Sequence, residues 1–292
     1  MHTFIITGLF HQNSFLLLSI SLLTMNKYFA LAALLILAAC NGNDKDGPDV
    51  IDNSIVKSIP VIAYTVRAEY PHDTSAYTQG LEFYNGKLYE STGDFENSSL
   101  RVTDYKTGKV EKKHMMGNDK IFGEGITILK NKIYQLTWES HIVYVYDVNN
   151  IDKPIQTFNW PYDGWGITNN GTDLIISDGT AKLYFVNPDD FRLKSTIGVT
   201  ENDSPVYQIN ELEYIDGFVF ANIYQKDIII KIDPSSGFVV GKMDLAGVIQ
   251  KFVPAYVPEP GVEVLNGIAY DSATKKFLVT GKRWPKMFEL KF

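Results

Sequence analysis

A short strand-and-turn phrase recurs five times along this sequence and constrains the fold more than any other feature. Its copies begin at Gly80, Gly125, Gly166, Leu212 and Gly267, so that successive copies lie 45, 41, 46 and 55 residues apart. A period of about 40–50 residues with about four strands per unit is typical of a β-propeller, and five copies predict five blades. Because the innermost strands of a propeller surround one axis, polar residues that recur near those strands are expected to meet at a single site.

The predicted fold class is therefore all-β, with a ring closed by the N-terminal part of the domain. The fifth blade lacks a fourth strand, since residues 287–292 supply its third. An alternating segment at 61–69, with apolar Ile62, Tyr64 and Val66, has no hairpin partner immediately before it. We predict that this segment is the outer strand of the last blade. Residues 244–263, which contain three prolines, are expected to hold one short helix and a loop.

The first 39 residues are predicted to be a signal peptide and not part of the fold. A charged start at Lys27 is followed by an apolar stretch over 28–37, too short for a comfortable membrane span, and by small residues before Cys40. This pattern resembles a bacterial lipobox, in which Cys40 would be lipidated and become the mature N-terminus. The alternative is a buried free cysteine. A second apolar stretch precedes Met25, which is a candidate for the true start of translation.

These features divide the chain into three parts. They are a signal peptide over 1–39, a lipidated cysteine with a flexible tether over 40–58, and a propeller over 59–292. We expect a monomer that is anchored in the bacterial cell envelope through Cys40, facing either the periplasm or the exterior.

The composition argues against several partners and cofactors. Cys40 is the only cysteine, so no disulfide can form within the chain. The net charge is −7 and no run of Lys or Arg occurs, which argues against nucleic-acid partners. After residue 40 the histidines are His72, His114 and His141, without the spacing of metal ligands, so a His/Cys zinc site is not expected. No cofactor is predicted, although an oxygen-liganded calcium on the propeller axis stays open.

Eight phrases, which occur in order and touch every blade, carry a resemblance to a known family. They are YTQGL at 77–81, YESTG at 89–93, FGEGIT at 122–127, QLTW at 135–138, GWG at 164–166, NELEY at 210–214, VLNGIA at 264–269 and TGKRWP at 280–285. Over residues 60–292 the sequence resembles the plant and bacterial type of glutaminyl-peptide cyclotransferase. The resemblance implies a five-bladed propeller that converts the N-terminal glutamine of peptides or proteins to pyroglutamate and releases ammonia.

The resemblance also implies a set of polar catalytic residues. Glu124, in the Gly-Glu-Gly phrase, stands at the place of the catalytic acid/base, and Gln79, Asn210 and Lys282 match the polar residues around it. The chemistry asks for such a set, because a proton must leave the attacking amine and reach the departing ammonia, a task suited to one carboxylate with a raised pKa. The tetrahedral oxygen needs donors, which Lys282 and Gln79 can supply, while Asn210 can hold the amine or the peptide carbonyl.

Aromatic side chains are expected to form the walls of the same site and to bind the substrate. Trp138 and Trp165 match the aromatic walls of the family. Two positions depart from the family pattern: Tyr77 stands where Phe is frequent, and Tyr224 stands where Trp is usual. Both changes keep an aromatic face, so they bear on substrate preference more than on activity.

Each of these residues also has a purely structural interpretation. Glu124 can accept backbone N–H groups in a turn, and Asn210 can cap its strand. The two tryptophans can fill the core, and Lys282 can be a solvated lysine at a strand end. Trp284 is interpreted as packing.

Two other functions remain open at this point. One is a calcium-dependent, lactonase-like hydrolase, in which axial Glu and Asn side chains hold a metal that activates water. The other is a non-catalytic lipoprotein that binds peptides in the aromatic pocket. The fold alone cannot decide among them, because propellers serve many functions.

Overall fold

A computed structural model describes residues 58–116 and 120–292. The predicted signal peptide over 1–39, the lipidated Cys40 and all of the tether except residue 58 lie outside the described residues. In the described part of the chain, no helix is both long enough and apolar enough to cross a membrane.

Five four-stranded antiparallel sheets form the blades of a propeller. After β1 (Thr65–Pro71), the first blade contains β2 (Thr78–Tyr84), β3 (Lys87–Thr92), β4 (Ser99–Asp104) and β5 (Lys109–Met115). The second contains β6 (Phe122–Leu129), β7 (Lys132–Trp138), β8 (Ile142–Asp147) and β9 (Gln156–Asn159). The third contains β10 (Ile167–Asn169), β11 (Leu174–Ile176), β12 (Lys182–Val186) and β13 (Leu193–Gly198).

The last two blades follow a small hairpin made of β14 (Thr200–Glu201) and β15 (Ser204–Pro205). The fourth blade contains β16 (Ile209–Ile215), β17 (Phe218–Ile223), β18 (Ile228–Ile232) and β19 (Val239–Asp244). A short helix, α1 (Val248–Phe252), lies in the expected insert. The fifth blade contains β20 (Leu265–Asp271), β21 (Lys276–Gly281) and β22 (Lys286–Lys291). The predicted five-bladed propeller is confirmed.

Strand β1 closes the ring as the outer strand of the fifth blade, which is also confirmed. It pairs antiparallel with β22 from Thr65 opposite Lys291 to Pro71 opposite Lys286. The strand begins later than the predicted residue 61, because the chain first runs beside the fourth blade. There the amide of Ile62 donates to the carbonyl of Lys242 at 2.8 Å. The alternating pattern thus spans two blades.

The core consists of apolar clusters that lie between neighbouring blades. In the seam between the fourth and fifth blades, for example, Phe220 and Ile229 pack in one cluster with Ile268 and Phe277. Full burial of one such side chain contributes about 1.5–3 kcal/mol. Each blade therefore depends on its two neighbours, and this mutual packing fixes the positions of the innermost strands around the axis.

Candidate active site

The site lies where the innermost strands begin, and β-bulges shape it. The strand pairing skips residues at this point in four blades: between Thr78 and Gly80, Gly123 and Ile126, Ile209 and Leu212, and Leu265 and Ile268. A bulge disrupts the ladder and redirects a side chain, and bulges are frequent next to active sites. The residues in these bulges include Gln79, Glu124, Asn210 and Asn266.

Glycines in the repeated phrase allow the inner strands to approach one another closely. A Cβ atom at Gly80 would lie 2.5 Å from the amide nitrogen of Ile126, and one at Gly166 would lie 2.0 Å from the carbonyl oxygen of Asn210. No side chain fits at such distances. The glycines are thus explained by blade-to-blade contact, which gathers the bulges around one end of the axis.

One cavity of about 270 Å³ is lined by all eight residues that the sequence predicted as catalytic or substrate-binding. Its lining is formed by Tyr77, Gln79, Phe122, Glu124, Trp138, Trp165, Asn210, Tyr224 and Lys282. Phe122 is the one lining residue that the sequence analysis did not single out. The sequence could have indicated Phe122, because it stands in the same FGEGIT phrase as Glu124. The four polar residues are buried and form the floor, whereas the five aromatic residues are half-buried and form the walls.

Glu124 is the buried carboxylate of this floor, with only 5% of its surface exposed. Burial raises the pKa of Glu124 well above its usual range, the charge of Lys282 opposes this, and Asp163 adds to it. Among the described residues its carboxylate accepts one hydrogen bond, from Nε2 of Gln79 at 3.1 Å. The remaining oxygen lone pairs of Glu124 are thus available to a ligand.

Gln79 is held in place by a residue that the sequence analysis did not assign to the site. Nδ2 of Asn266 donates to Oε1 of Gln79 at 3.2 Å and to the carbonyl of Thr78 at 2.9 Å. This contact fixes the orientation of the Gln79 amide, so that its NH₂ group points at Glu124. Asn266 stands in the quoted VLNGIA phrase, at the same bulge position in the fifth blade.

Asn210 presents an acceptor without a partner. Its Oδ1 is buried and forms no hydrogen bond within the described part of the chain. A buried polar atom of this kind is costly unless it is satisfied by water or a ligand. Because Asn210 also lines the cavity, its amide is a candidate partner for an amine or amide of a bound molecule.

Lys282 follows the last residue of β21 and reaches into the cavity from the fifth blade. Burial lowers the pKa of Lys282 to about 8, although the charge of Glu124 opposes the shift. The loop that carries it is tied to the segment before β2: the amide of Arg283 donates to the carbonyl of Ala76 at 2.7 Å, and Nδ1 of His72 lies 2.6 Å from the carbonyl of Trp284. The Lys282 backbone is thereby fixed between the fifth and first blades.

The aromatic walls consist of two groups of rings in edge-to-face contact. Phe122 lies 5.5 Å from Trp138 and 6.1 Å from Tyr77, measured between ring centroids. Trp165 lies 5.6 Å from Tyr224. The predicted wall residues therefore line the cavity and do not fill the core, unlike Trp284, which is buried and donates to the carbonyl of Glu263.

The fold and the site together define a β-propeller with a buried carboxylate and lysine in an aromatic pocket. A sequence profile described as glutamine cyclotransferase matches residues 31–292, and the chain therefore belongs to this family. It is 40% identical over 227 residues to a glutaminyl-peptide cyclotransferase of Arabidopsis thaliana, covering 77% of this chain and 70% of that protein. The crystal structure of Myxococcus xanthus glutaminyl cyclase superposes with a TM-score of 0.72 at 35% identity and covers 78% of this chain and 95% of that one.

Proposed function

We propose that this chain cyclises the N-terminal glutamine of peptides and proteins to pyroglutamate, and that it does so in the pocket around Glu124. The activity is that of the family to which the chain belongs. The observation that carries the choice of site is the buried Glu124 carboxylate, open to a cavity of about 270 Å³ and faced by Lys282. Pockets for drug-sized ligands are usually about 300–1,000 Å³, so this cavity suits a single amino-acid residue.

The aromatic walls and Asn210 position the substrate. The α-amine of the substrate attacks the γ-carbonyl carbon of the same residue, so the reaction mainly requires the correct side-chain rotamer and the exclusion of water. Trp138, Trp165 and Tyr224 enclose the glutamine side chain. The unpartnered Oδ1 of Asn210 accepts a hydrogen bond from the amine and directs the nitrogen lone pair toward the carbonyl carbon.

Glu124 moves the proton. As the bond between the α-nitrogen and the γ-carbon forms, Glu124 accepts a proton from the amine. It then delivers this proton to the amide nitrogen, which departs as ammonia when its bond to the γ-carbon breaks. A raised pKa suits both steps, because the carboxyl group must take up and release a proton near neutral pH.

Lys282 stabilises the negative charge on the tetrahedral oxygen. Its ammonium is a preorganised donor in a site from which water is excluded, where such a charge is stabilised more strongly than in water. Gln79 orients the Glu124 carboxylate through its hydrogen bond and can share in binding the substrate carbonyl.

The test is ammonia release from a glutaminyl dipeptide by the purified protein. We expect ammonia and pyroglutamyl product in equal amounts, and no ammonia when the α-amine of the dipeptide is acetylated. Binding without ammonia release would support the peptide-binding lipoprotein instead. The comparisons with known proteins support neither that alternative nor a lactonase-like hydrolase.

The reaction is proposed to need no zinc. Among residues 58–116 and 120–292, no group of three or more His, Cys, Asp or Glu residues is arranged to hold a metal ion. Ammonia release should therefore survive treatment with a chelator that removes zinc. A loss of activity that zinc restores would contradict this proposal, and a loss that only calcium restores would support an axial calcium.

We further propose that Cys40 carries a lipid anchor and that the protein resides in the bacterial cell envelope as a monomer. Support comes from the small residues before Cys40 and the polar segment after it. One acyl chain binds a membrane only marginally, so stable anchoring implies more than one chain. Cys40→Ala should abolish labelling by fatty acids and remove the mature protein from the membrane fraction. Unchanged labelling and fractionation would contradict the anchor.

A further inference from the structure

The ammonium of Lys282 is held in an unusual way for a buried charge. Only 3% of the residue is exposed, and among the described residues its Nζ forms no hydrogen bond and no ion pair. Two aromatic rings face it instead: Nζ lies 4.5 Å from the ring centroid of Tyr77 and 5.0 Å from that of Tyr224. Both distances fall within the range of about 6 Å at which a cation is attracted to the face of an aromatic ring.

The charged groups around this pair of rings are few. Glu124 is the acidic group whose charge acts on Lys282, from the second blade. The guanidinium of Arg283 also lies over the Tyr77 ring, at 5.4 Å, and is near the Asp94 carboxylate at 3.9 Å. No carboxylate within the described ranges approaches Nζ of Lys282 to 4.0 Å, so the two rings are its direct contacts that favour the charge.

The Tyr77 ring acts as a neutral face in the working pH range. Burial raises the pKa of Tyr77 to about 12, and the neighbouring Tyr224 and Glu124 contribute to the increase. A phenolate is thus absent at neutral pH. The attraction between Lys282 and the Tyr77 ring comes from the negative face of the π system.

We propose that Tyr77 and Tyr224 are positioning residues that keep the Lys282 ammonium charged in the dry pocket while leaving its N–H donors free for the substrate. The inference rests on the proposed role of Lys282 in stabilising the tetrahedral oxygen. A carboxylate partner would also keep Lys282 charged, but it would occupy the same donors and neutralise the charge that the reaction needs. Aromatic faces avoid both effects. Tyr77 and Tyr224 thus have a role in addition to forming the pocket walls.

The test is a graded series at position 224, in which all three variants lack the tyrosine hydroxyl and differ in how strongly the side chain attracts a cation. The variants are Tyr224→Trp, Tyr224→Phe and Tyr224→Leu, and the measurement is the pKa of Lys282 from the NMR titration of ¹³Cε-labelled lysines. Lys282→Arg identifies the resonance. Since Trp attracts a cation best and Leu does not, the pKa of Lys282 should be highest in the Trp variant and lowest in the Leu variant.

The Leu variant should lower the pKa of Lys282 from about 8 by roughly half a unit to one and a half units. Tyr162→Leu is the matched control, because Tyr162 is 40% exposed and stacks on Tyr184. It should leave the titration of Lys282 unchanged. An unchanged or raised pKa in the Leu variant would overturn the proposal, since water entering an enlarged pocket would act in that direction.

Activity gives a second readout that separates this inference from the proposed function. The alkaline limb of kcat/KM should move to lower pH in the Leu variant, in parallel with the NMR titration, whereas a loss of packing alone would lower activity at every pH. If the wild-type protein released no ammonia but the NMR series kept the expected order, the role of the rings would stand and the cyclase site would be wrong. If ammonia release were normal and the pKa of Lys282 were the same in all Tyr224 variants, only the role of the rings would be wrong.

Discussion

Two buried glutamates at equivalent bulges, Glu124 in the second blade and Glu211 in the fourth, are used in opposite ways. Exposed fractions are 5% for Glu124 and 1% for Glu211, and burial raises the pKa of each well above its usual range. Their hydrogen bonds differ. The oxygens of Glu211 accept from the amide of Leu81 at 3.2 Å and from that of Ile268 at 2.8 Å. Glu124 accepts from one side chain, that of Gln79, and opens to the cavity.

The two glutamates differ in their hydrogen-bond partners and not in burial or residue type. This difference distinguishes a carboxylate that holds strands together from one that is available to a substrate. Glu211 joins the innermost strands of the first, fourth and fifth blades, because its two acceptors satisfy backbone donors of the other two. A carboxylate engaged in this way has little capacity left for a substrate. Glu124 has the same desolvation but keeps free lone pairs, so it can take a proton from a bound amine.

The largest effect is expected from Glu124→Gln, which keeps the size and the hydrogen bond of the side chain but cannot take up a proton. General acid–base catalysis typically contributes about 10²–10⁴-fold, so ammonia release should fall by at least that range. The melting temperature should stay close to that of the wild-type protein. The measurement is kcat for a glutaminyl dipeptide, with circular dichroism to verify the fold.

Glu211→Gln is the matched control for this prediction. The variant makes the same chemical change in a carboxylate that is buried at least as deeply. The activity per folded molecule should stay within about threefold of wild type, because general acid–base catalysis requires a group within reach of the substrate. If Glu211→Gln lost activity and Glu124→Gln kept it, the acid/base role would belong to Glu211 and the comparison would be reversed.

The second prediction concerns stability. Glu211→Ala leaves the amides of Leu81 and Ile268 without their acceptor on the propeller axis, and an unsatisfied buried donor costs about 1–3 kcal/mol. The free energy of unfolding should therefore fall by several kcal/mol, with a decrease of more than about 4 °C in the melting temperature. Glu124→Ala should change the melting temperature much less. Equal decreases in both variants would remove the distinction between the two carboxylates.

The fold could be predicted from the sequence because each blade repeats the same local pattern. Strand, turn and strand recur at blade spacing, and the fifth blade visibly lacks one strand, which the segment before Tyr70 supplies. The predicted start of the outer strand, residue 61, was wrong by four residues. The alternating pattern runs without a break from the segment that contacts Lys242 into the segment that pairs with β22. Alternation of apolar and polar residues indicates that one face of a strand is buried, but it does not identify the strand that pairs with it.

Eight of the nine residues that line the cavity could be predicted from the motifs, but their contacts could not. Glu211 receives its hydrogen bonds from residues 130 and 57 positions away in the sequence, so no local pattern shows that its oxygens already have backbone partners. The contact between Asn266 and Gln79 spans 187 positions and depends on ring closure. Contacts of this kind follow from how the blades meet, which spacing along the chain does not specify.

The third prediction tests whether Glu124 depends on a single hydrogen bond. Gln79→Met keeps the approximate volume but removes the donor to Glu124 and the acceptor for Asn266. A hydrogen bond to a charged group contributes about 1.5–3 kcal/mol, so kcat/KM should fall by roughly tenfold or more, though less than for Glu124→Gln. Asn266→Ala should cause a smaller loss in the same direction, because it affects Glu124 only through the orientation of Gln79. A variant Gln79→Met with full activity would show that Glu124 is oriented by other contacts.

The smallest expected effect is a shift of the pH profile, and it distinguishes the two carboxylates without removing that of Glu124. Activity should rise with pH as the substrate amine, with an ordinary pKa of about 7.7–8.0, and Glu124 lose their protons. It should fall again as Lys282, with a pKa of about 8, loses its charge. The result is a narrow bell in kcat/KM with a maximum in mildly alkaline solution. Removing the donor in Gln79→Met disfavours the ionised form of Glu124, so the acid limb should move to higher pH. Glu211→Gln should leave both limbs in place, and a displaced acid limb in that variant would mean that Glu211 is coupled to the reacting proton after all.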